Sequence, residues 1–399
     1  MTPQKKVRLA LAGCGRRGIC VAGLFRNHPQ CEITALMDPF ESATSLAATQ
    51  LDIPEARVYR NFELMLKDAP VDAIFLACDP TQQVGLACAA MKAGKHVCTE
   101  VPAAFTIAEC WDLVETVKKT GCKYQLLEQL RYCGFIETWM QMNERGELGH
   151  ICLAQGEYVH FEMAWKLWMD KDTGEMIGEI PKPSGRRVEP TWRRRILADP
   201  IYYLPHTLSP ILRVLDDRVV RVSCMGTRKH SYTHPDVKLP WSDIQYALMH
   251  TAKDTVVLAG AGFSLPHVPR GELGAHWYDF RGTRGSVESP RSKADTYRAW
   301  RRGMDAFETS NVSSIPIGAT EEEQKTGHGG TDFKPVDTFI RAIVDDTVPP
   351  MDVYRSVETA APAILAAESA NQGGALLEVP NFRTEKRRSK SKAKIRIPR

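Results

Sequence analysis

No stretch of this 399-residue chain approaches the ~20 consecutive apolar residues that a membrane-crossing helix requires, so no membrane partner is expected. The N-terminal MTPQKKVRLALAGCG superficially resembles a secretion signal, but its apolar run is short and passes straight into a glycine-rich turn, as a first strand would. There is no CxxC pair among eleven cysteines, ten of which precede residue 153. Odd in number and scattered singly, they argue against a disulfide framework and suit small apolar packing in a reducing cytoplasm. Neither sign of charge dominates over most of the chain. The net +4 includes +8 between Arg383 and Arg399, leaving −4 on the remainder. That basic tail reads as a solvated extension. No aromatic residue follows Phe382 to stack on bases, so a nucleic-acid partner is not expected. Internal repeats are also missing.

What is present is ordinary for a globular protein: 43% hydrophobic and 25% charged residues, in a length that suits two domains. Residues 1–130 alternate strand and helix signals. The strand signals are VRLALAG (7–13), CEITALMD (31–38), VDAIFLAC (71–78), HVCTE (96–100) and CKYQLLE (122–128). Helices are predicted over 16–27, 41–51 and 81–93, with a further one ending at Gly121. Closely spaced strand–helix–strand units imply a doubly wound parallel sheet with helices on both faces, and therefore an α/β domain. Beyond residue 130 the pattern changes to longer β-type runs, which suit an α+β domain with an open, mostly antiparallel sheet over 131–382. Residues 383–399 form the basic tail. Two late helical patterns, HGGTDFKPVDTFIRAIV and MDVYRSVETAAPAILAAESANQGG, belong to the second part of the chain or pack back on the first.

Gly13-Cys14-Gly15-Arg16-Arg17-Gly18 matches GxGxxG directly after the first strand and opens a helix, the context that gives the pattern meaning. The glycines permit a tight turn, close approach of a pyrophosphate and close helix packing, with helix N–H groups facing the phosphates. Asp38 ends the second strand, where a carboxylate accepts from both ribose hydroxyls and repels a 2′-phosphate. NAD is thus the expected cofactor rather than NADP, with Arg16 and Arg17 as the residues that would greet NADP. Ligands of such sheets lie beyond the carboxyl ends of the strands, which places Asp79, Pro80, Thr81, Glu100 and Pro102 at the same crevice.

With AGCGRRG, AGKHVCTEVP, QLRY, GELGHI, VDTFIRAI and MDVYRSVETA in this order, the chain resembles the Gfo/Idh/MocA (glucose–fructose oxidoreductase / inositol dehydrogenase) family. The resemblance implies a Rossmann domain followed by an open sheet that pairs with a second copy, and hydride transfer between NAD(P) and a hydroxyl carbon of a sugar or polyol. Two departures matter. The family's Glu-Lys-Pro is here Glu100-Val101-Pro102, and valine can neither move a proton nor hold a substrate oxygen. The family's aspartate four residues before a histidine is Tyr202, ahead of His206. The chain also resembles glycoside hydrolase family 109 in EVPAA, ECWDLV, Trp192-Arg193, the Tyr203–His206 segment and GHGGTDF. That branch implies tightly bound NAD and a transient oxidation, elimination, hydration and reduction of the sugar. Where it carries a glutamate before its Tyr-x-His, this chain has Gln155, with Glu157 on the same strand face.

His206 and Tyr203 are accordingly the catalytic candidates, and Gln155, Glu157, Trp192, Arg193, Tyr202 and His328 the substrate-binding ones. Capping or packing is the alternative for His206, and an aromatic core contact for Tyr203. Arg193 to Arg195 suit either an acidic sugar or solvent. Trp165, Trp168 and Trp192 suit sugar stacking or core burial. His160 and Glu162 share a strand face with Tyr158, but two ligands do not make a metal site, and none is expected. The first reading is an NAD-dependent oxidoreductase acting on a carbohydrate. A glycosidase using bound NAD is the alternative, and a non-catalytic, cofactor-bound sugar-binding protein is the third.

Overall fold

The computed structural model describes residues 6–161, 166–178, 182–236, 238–266 and 274–387. The expectations for Glu162, Trp165 and the tail from residue 388 onward fall outside these. The first sheet contains β1 (Val7–Ala12), β2 (Cys31–Met37), β3 (Arg57–Tyr59), β4 (Ala73–Leu76), β5 (His96–Thr99) and β6 (Tyr124–Leu126). All pairings are parallel, in the order β3-β2-β1-β4-β5-β6. The helices are α1 (Arg16–Asn27), α2 (Glu41–Leu51), α3 (Phe62–Asp68), α4 (Pro80–Lys92) and α5 (Ile107–Thr120). Sequence reading passes over β3 and α3, because a three-residue strand and a two-turn helix are too short to show a period. Glu100 therefore follows the fifth strand rather than the fourth.

Alternation along β1 assigns its side chains to two layers. Leu9 and Leu11 join a cluster with Val21, Phe25 and Ala47 of α1 and α2. Ala10 and Ala12 join another with Ala87, Met91, Leu113 and Val114 of α4 and α5. Local chemistry sets the helix ends. Thr106 caps α5 by accepting from the Glu109 N–H at 3.2 Å, and Gly121 ends it in a left-handed conformation (φ +70°).

The second part begins with α6 (Gly134–Glu144) and β7 (Ile151–Val159). After β7 come β8 (Trp168–Asp170), β9 (Met176–Ile177) and β10 (Val188–Pro190), a small sheet ordered β10-β8-β9. Next come α7 (Arg193–Ala198), a 3-10 turn over Pro200–Tyr203, and α8 (Pro205–Leu215). β11 (Val219–Gly226), β12 (Gln245–Thr251), β13 (Val256–Gly262), β14 (His276–Gly282), β15 (Gly285–Glu288), β16 (Arg298–Arg301) and β17 (Glu308–Thr309) build the large sheet. α9 (Glu321–Gln324), α10 (Phe333–Val344), α11 (Val353–Asn371) and β18 (Leu377–Glu378) complete the chain. The large sheet has nine strands, in the order β17-β16-β15-β14-β7-β13-β12-β11-β18. It is antiparallel except where β13 runs parallel to β7.

One face of this sheet lies under α8. At Gly156 a Cβ would meet the Thr207 methyl at 2.4 Å and Ile211 at 3.0 Å, so only glycine lets strand and helix pack this closely. α10 crosses back to the first domain: its Val336, Phe339 and Ile340 are fully buried and belong to the cluster around β1. Each such side chain contributes roughly 1.5–3 kcal/mol by burial, which fixes the loop before α10 against the glycine turn.

Candidate functional site

The glycine turn is shaped by backbone crowding. Gly13 has φ +97°, and a Cβ there would sit 2.6 Å from the Ala77 carbonyl. At Gly18 it would sit 2.1 Å from the Gly13 carbonyl oxygen. At Gly15, by contrast, nothing of the protein lies within 4 Å of the Cβ position. Gly15 is also the N-cap of α1, with no side-chain cap and no acidic residue in the first turn. An open approach combined with uncapped helix N–H groups is what a diphosphate needs, so the residues present fit the dinucleotide. The Cys14 N–H donates to Asp38 Oδ2 at 2.9 Å, and the Phe40 N–H to Oδ1 at 3.0 Å. These two bonds fix the Asp38 carboxylate at the end of β2, and each of its oxygens retains a lone pair for a ribose hydroxyl.

Arg17 occupies a different place from the one that reading it as an NADP contact implies. Its Nε donates to Glu100 Oε1 at 2.9 Å and its Nη1 to Asp332 Oδ2 at 2.9 Å. His328 Nδ1 lies 2.9 Å from the other oxygen of Asp332. The chain of contacts links the glycine turn, the end of β5 and the loop before α10. Burial raises the Glu100 carboxyl above its usual range, and the Arg17 guanidinium opposes that rise. Burial also acts to raise Asp332, but the hydrogen bond from His328 and the charge of Arg17 outweigh it and hold that carboxyl at about 2. His328 thus meets a carboxylate rather than projecting freely, although its side chain is 47% exposed. Asp79 accepts from the Thr81 N–H (2.8 Å) and hydroxyl (2.7 Å), capping α4 with Pro80 at its first turn. Arg16 is exposed. The Val101–Pro102 peptide is cis, and Gln83 Nε2 donates to both the Glu100 (2.7 Å) and Pro102 (3.0 Å) carbonyls. Val101 itself is buried among apolar residues.

His206 sits in the first turn of α8, behind Pro205. Its Nδ1 lies 2.7 Å from Oε2 of Glu128, a carboxylate with no solvent exposure. The distance is that of an ion pair, and its angle falls short of a good hydrogen bond; neither atom has another partner among the described residues. Glu128 Oε1 accepts from the Leu130 N–H at 3.0 Å, which fixes the carboxylate. Sequence reading missed Glu128, although the logic that selects Asp79 and Glu100 at strand ends extends to the residue closing CKYQLLE.

Beside His206 is a cavity of about 170 Å³ lined by Tyr158, His160, Trp192, Arg193, Ile196, Leu197, Tyr203 and Phe263. Pockets for drug-sized ligands run to roughly 300–1,000 Å³, so this space suits one small ring. Tyr203 stacks nearly parallel to Trp192 (6.1 Å between centroids, 5°) and lies 5.4 Å from the His206 ring. Tyr158 meets the His206 ring edge-on at 5.7 Å. The structure thus brings His206, Tyr203, Trp192 and Arg193 together, and adds Tyr158 of β7 and His160 just beyond its end.

Gln155 and Glu157 are placed elsewhere. Strand alternation puts them on the face opposite Gly156, which packs on α8. Gln155 Nε2 donates to Asp279 at 2.9 Å, and the Tyr246 hydroxyl donates to Glu157 at 2.7 Å. Both expectations of substrate contact are therefore corrected: the pair shares a strand face, but not the one bearing the cavity. Tyr202 is not among the residues that line the cavity. It packs edge-on against Phe105 at 5.2 Å and takes a long hydrogen bond from Arg195. Among the described residues no cluster of three or more His, Cys, Asp or Glu could hold a metal ion. No helix there is long and apolar enough to cross a membrane.

Two family models match in tandem: the oxidoreductase family, NAD-binding Rossmann fold (Gfo/Idh/MocA), over residues 7–127, and the glycosyl hydrolase 109 C-terminal domain over residues 136–389. Among curated relatives, an alpha-N-acetylgalactosaminidase from Tannerella forsythia is 27% identical over 84% of this chain and 76% of its own length. A glycosyl hydrolase family 109 protein from Saccharopolyspora erythraea is 27% identical over 94% of this chain and 83% of its own. Solved structures share the fold. An oxidoreductase from Agrobacterium radiobacter, solved with NAD+, L-tartaric acid and magnesium, superposes with a TM-score of 0.72 at 15% identity, covering 94% of this chain and 98% of that one. The scyllo-inositol dehydrogenase of Lactobacillus casei with NAD(H) and scyllo-inositol gives 0.67 at 15%, covering 94% and 99%. With an NAD-binding Rossmann domain joined to a second domain that matches over more than half its length, this chain belongs to the glycosyl hydrolase 109 family.

Proposed function

We propose that this protein is a glycosidase that works with retained NAD, and that net sugar dehydrogenation, the first reading from sequence, is the lesser activity. The observation that carries this is the pairing of a buried Val101 at the usual lysine position with a buried Glu128–His206 pair beside a ring-sized cavity. The bound nicotinamide supplies one thing, reversible oxidation of a sugar carbinol carbon. The protein does the rest. The Glu128 carboxylate facing Nδ1 favours the imidazole proton on that nitrogen, which leaves Nε2 to remove the proton on the carbon beside the oxidised one, and later to return it. Tyr203 lends its hydroxyl to the departing or arriving oxygen. Trp192 and Tyr203 offer flat faces to a sugar ring, and Arg193 reaches the same cavity. Glu100, held by Arg17, and Asp38, held by Cys14, position the ribose ends of the cofactor.

The same reading includes a reducing compartment, supported by eleven free cysteines. It also includes pairing of two copies through the open sheet face, where Met225 and Leu248 stand 67% and 54% exposed. The test of function is nitrophenol release from aryl glycosides by protein carrying its own NAD. Multiple turnovers without added cofactor support the glycosidase. One NADH formed per sugar consumed restores the dehydrogenase reading.

A further inference from the structure

Arg193, Arg194 and Arg195 occupy the first turn of α7, all half-buried. Each guanidinium lies over an aromatic ring: Arg193 over Trp192 at 5.0 Å, Arg194 over Trp168 at 4.8 Å, and Arg195 over Phe105 at 4.7 Å and Tyr202 at 5.0 Å. No carboxylate pairs with any of the three among the described residues. The acids nearby in sequence are engaged elsewhere: Glu189 pairs with Lys171, and Asp199 with Lys229. Arg195 spends part of its donor set on the Phe105 carbonyl (3.2 Å) and the Tyr202 hydroxyl (3.4 Å), contacts that orient it without neutralising it. Three half-buried cations that no carboxylate neutralises leave a positive potential on this face, which an anion would meet favourably.

The cavities say where that anion goes. Arg193 lines the ring-sized cavity, while Arg194 and Arg195 line a second one of about 280 Å³, walled by Leu239, Pro240 and Trp241. Leu197 lines both, so the two spaces are separated by little more than one side chain of α7. A mostly apolar wall that carries two arginine side chains is the composition of a site for a carboxylate, sulfate ester or phosphate ester on an organic body.

We propose that the natural glycoside is anionic, with its sugar ring in the first cavity and its charged oxygen group held by Arg194 and Arg195 in the second. This rests on the glycosidase reading for the ring's position, and names the substrate class of that site.

The experiment measures binding to the NAD-loaded protein by calorimetry. The probes are a neutral methyl hexoside, the matching methyl uronide, the matching 6-sulfate and inorganic sulfate, each at low and at 0.3 M salt. We expect the uronide or the sulfated sugar to bind about 10- to 100-fold tighter than the neutral glycoside, with the advantage shrinking in salt. Whichever of the two is preferred identifies the anion. Arg194→Gln and Arg195→Gln should each remove most of the advantage while leaving neutral binding unchanged, and Arg194→Lys should restore part of it. Equal binding of neutral and anionic probes by the unaltered protein overturns the proposal, as does an advantage that survives both Gln variants. If a variant does not fold, competition decides: inorganic sulfate that fails to displace the anionic sugar overturns it. Aryl glycoside turnover is read separately. An anion preference without turnover retires the glycosidase reading alone, and turnover of neutral glycosides without anion preference retires the subsite alone.

Discussion

Glu128→Gln is the most informative single change. Glu128 has no exposed surface, and its two oxygens have separate duties: Oε1 accepts from the Leu130 N–H at 3.0 Å, and Oε2 faces His206 Nδ1 at 2.7 Å. Glutamine keeps the shape, and its amide oxygen can keep the Leu130 bond, so the turn after β6 stays intact. What changes is the atom facing Nδ1, which becomes an NH₂ donor. To meet a donor, Nδ1 must become the acceptor, which moves the imidazole proton to Nε2 and removes the base from the substrate side. Losing the group that orients a catalytic histidine lowers turnover by about 10²–10⁴-fold, or roughly 2.7–5.5 kcal/mol of barrier at 1.36 kcal/mol per decade. The assay is kcat for aryl glycoside hydrolysis, with NAD content and thermal midpoint measured on the same preparation. Turnover within twofold of the unaltered protein, with NAD retained, would refute the reasoning and leave Glu128 a packing residue.

Other changes probe the remaining parts of the account. Gly15→Ala adds a methyl where the protein has no atom within 4 Å, so the thermal midpoint of the NAD-free protein should hold while NAD affinity falls by at least tenfold; retained affinity, by titration, would contradict the diphosphate placement. Asp332 is held at about 2, below its unfolded value of 3.8, so its contribution of about 2 kcal/mol is present above pH 4 and lost as pH falls toward 2; denaturant melts across that range should show Asp332→Asn flattening the loss. His206→Ala should abolish turnover with NAD still bound, and unchanged rates would remove the histidine from the mechanism. Phe339→Ala should cost about 3–5 kcal/mol in denaturant melts, since the ring is fully buried between α10 and the first sheet.

How far the sequence discloses this arrangement depends on range. The glycine turn is legible because its three constraints fall within six residues and the flanking strand is a continuous apolar run. Asp38 and Glu100 are legible from their places at strand ends. His206 is legible only through resemblance; what orients it, Glu128, is 78 residues away and meets it through the packing of α8, which no local pattern encodes. Gln155 and Glu157 show the complementary error. Period-two alternation correctly groups them on one face, yet which face carries the cavity is decided by α8 pressing on Gly156, a contact fixed only in the folded chain. Arg17 illustrates a third limit: a basic residue in a phosphate-binding turn suggests a phosphate contact, while its true partners, Glu100 and Asp332, lie 83 and 315 positions away.

The central claim is that the sugar is oxidised and restored within one catalytic cycle, with His206 exchanging a proton at the neighbouring carbon. Hydrolysis of an aryl glycoside in D₂O by protein carrying only its own NAD tests this directly. The account predicts many nitrophenols released per protein, no lasting NADH absorbance, and one deuterium in the product sugar beside the transiently oxidised carbon. Product sugar free of carbon-bound deuterium would contradict it.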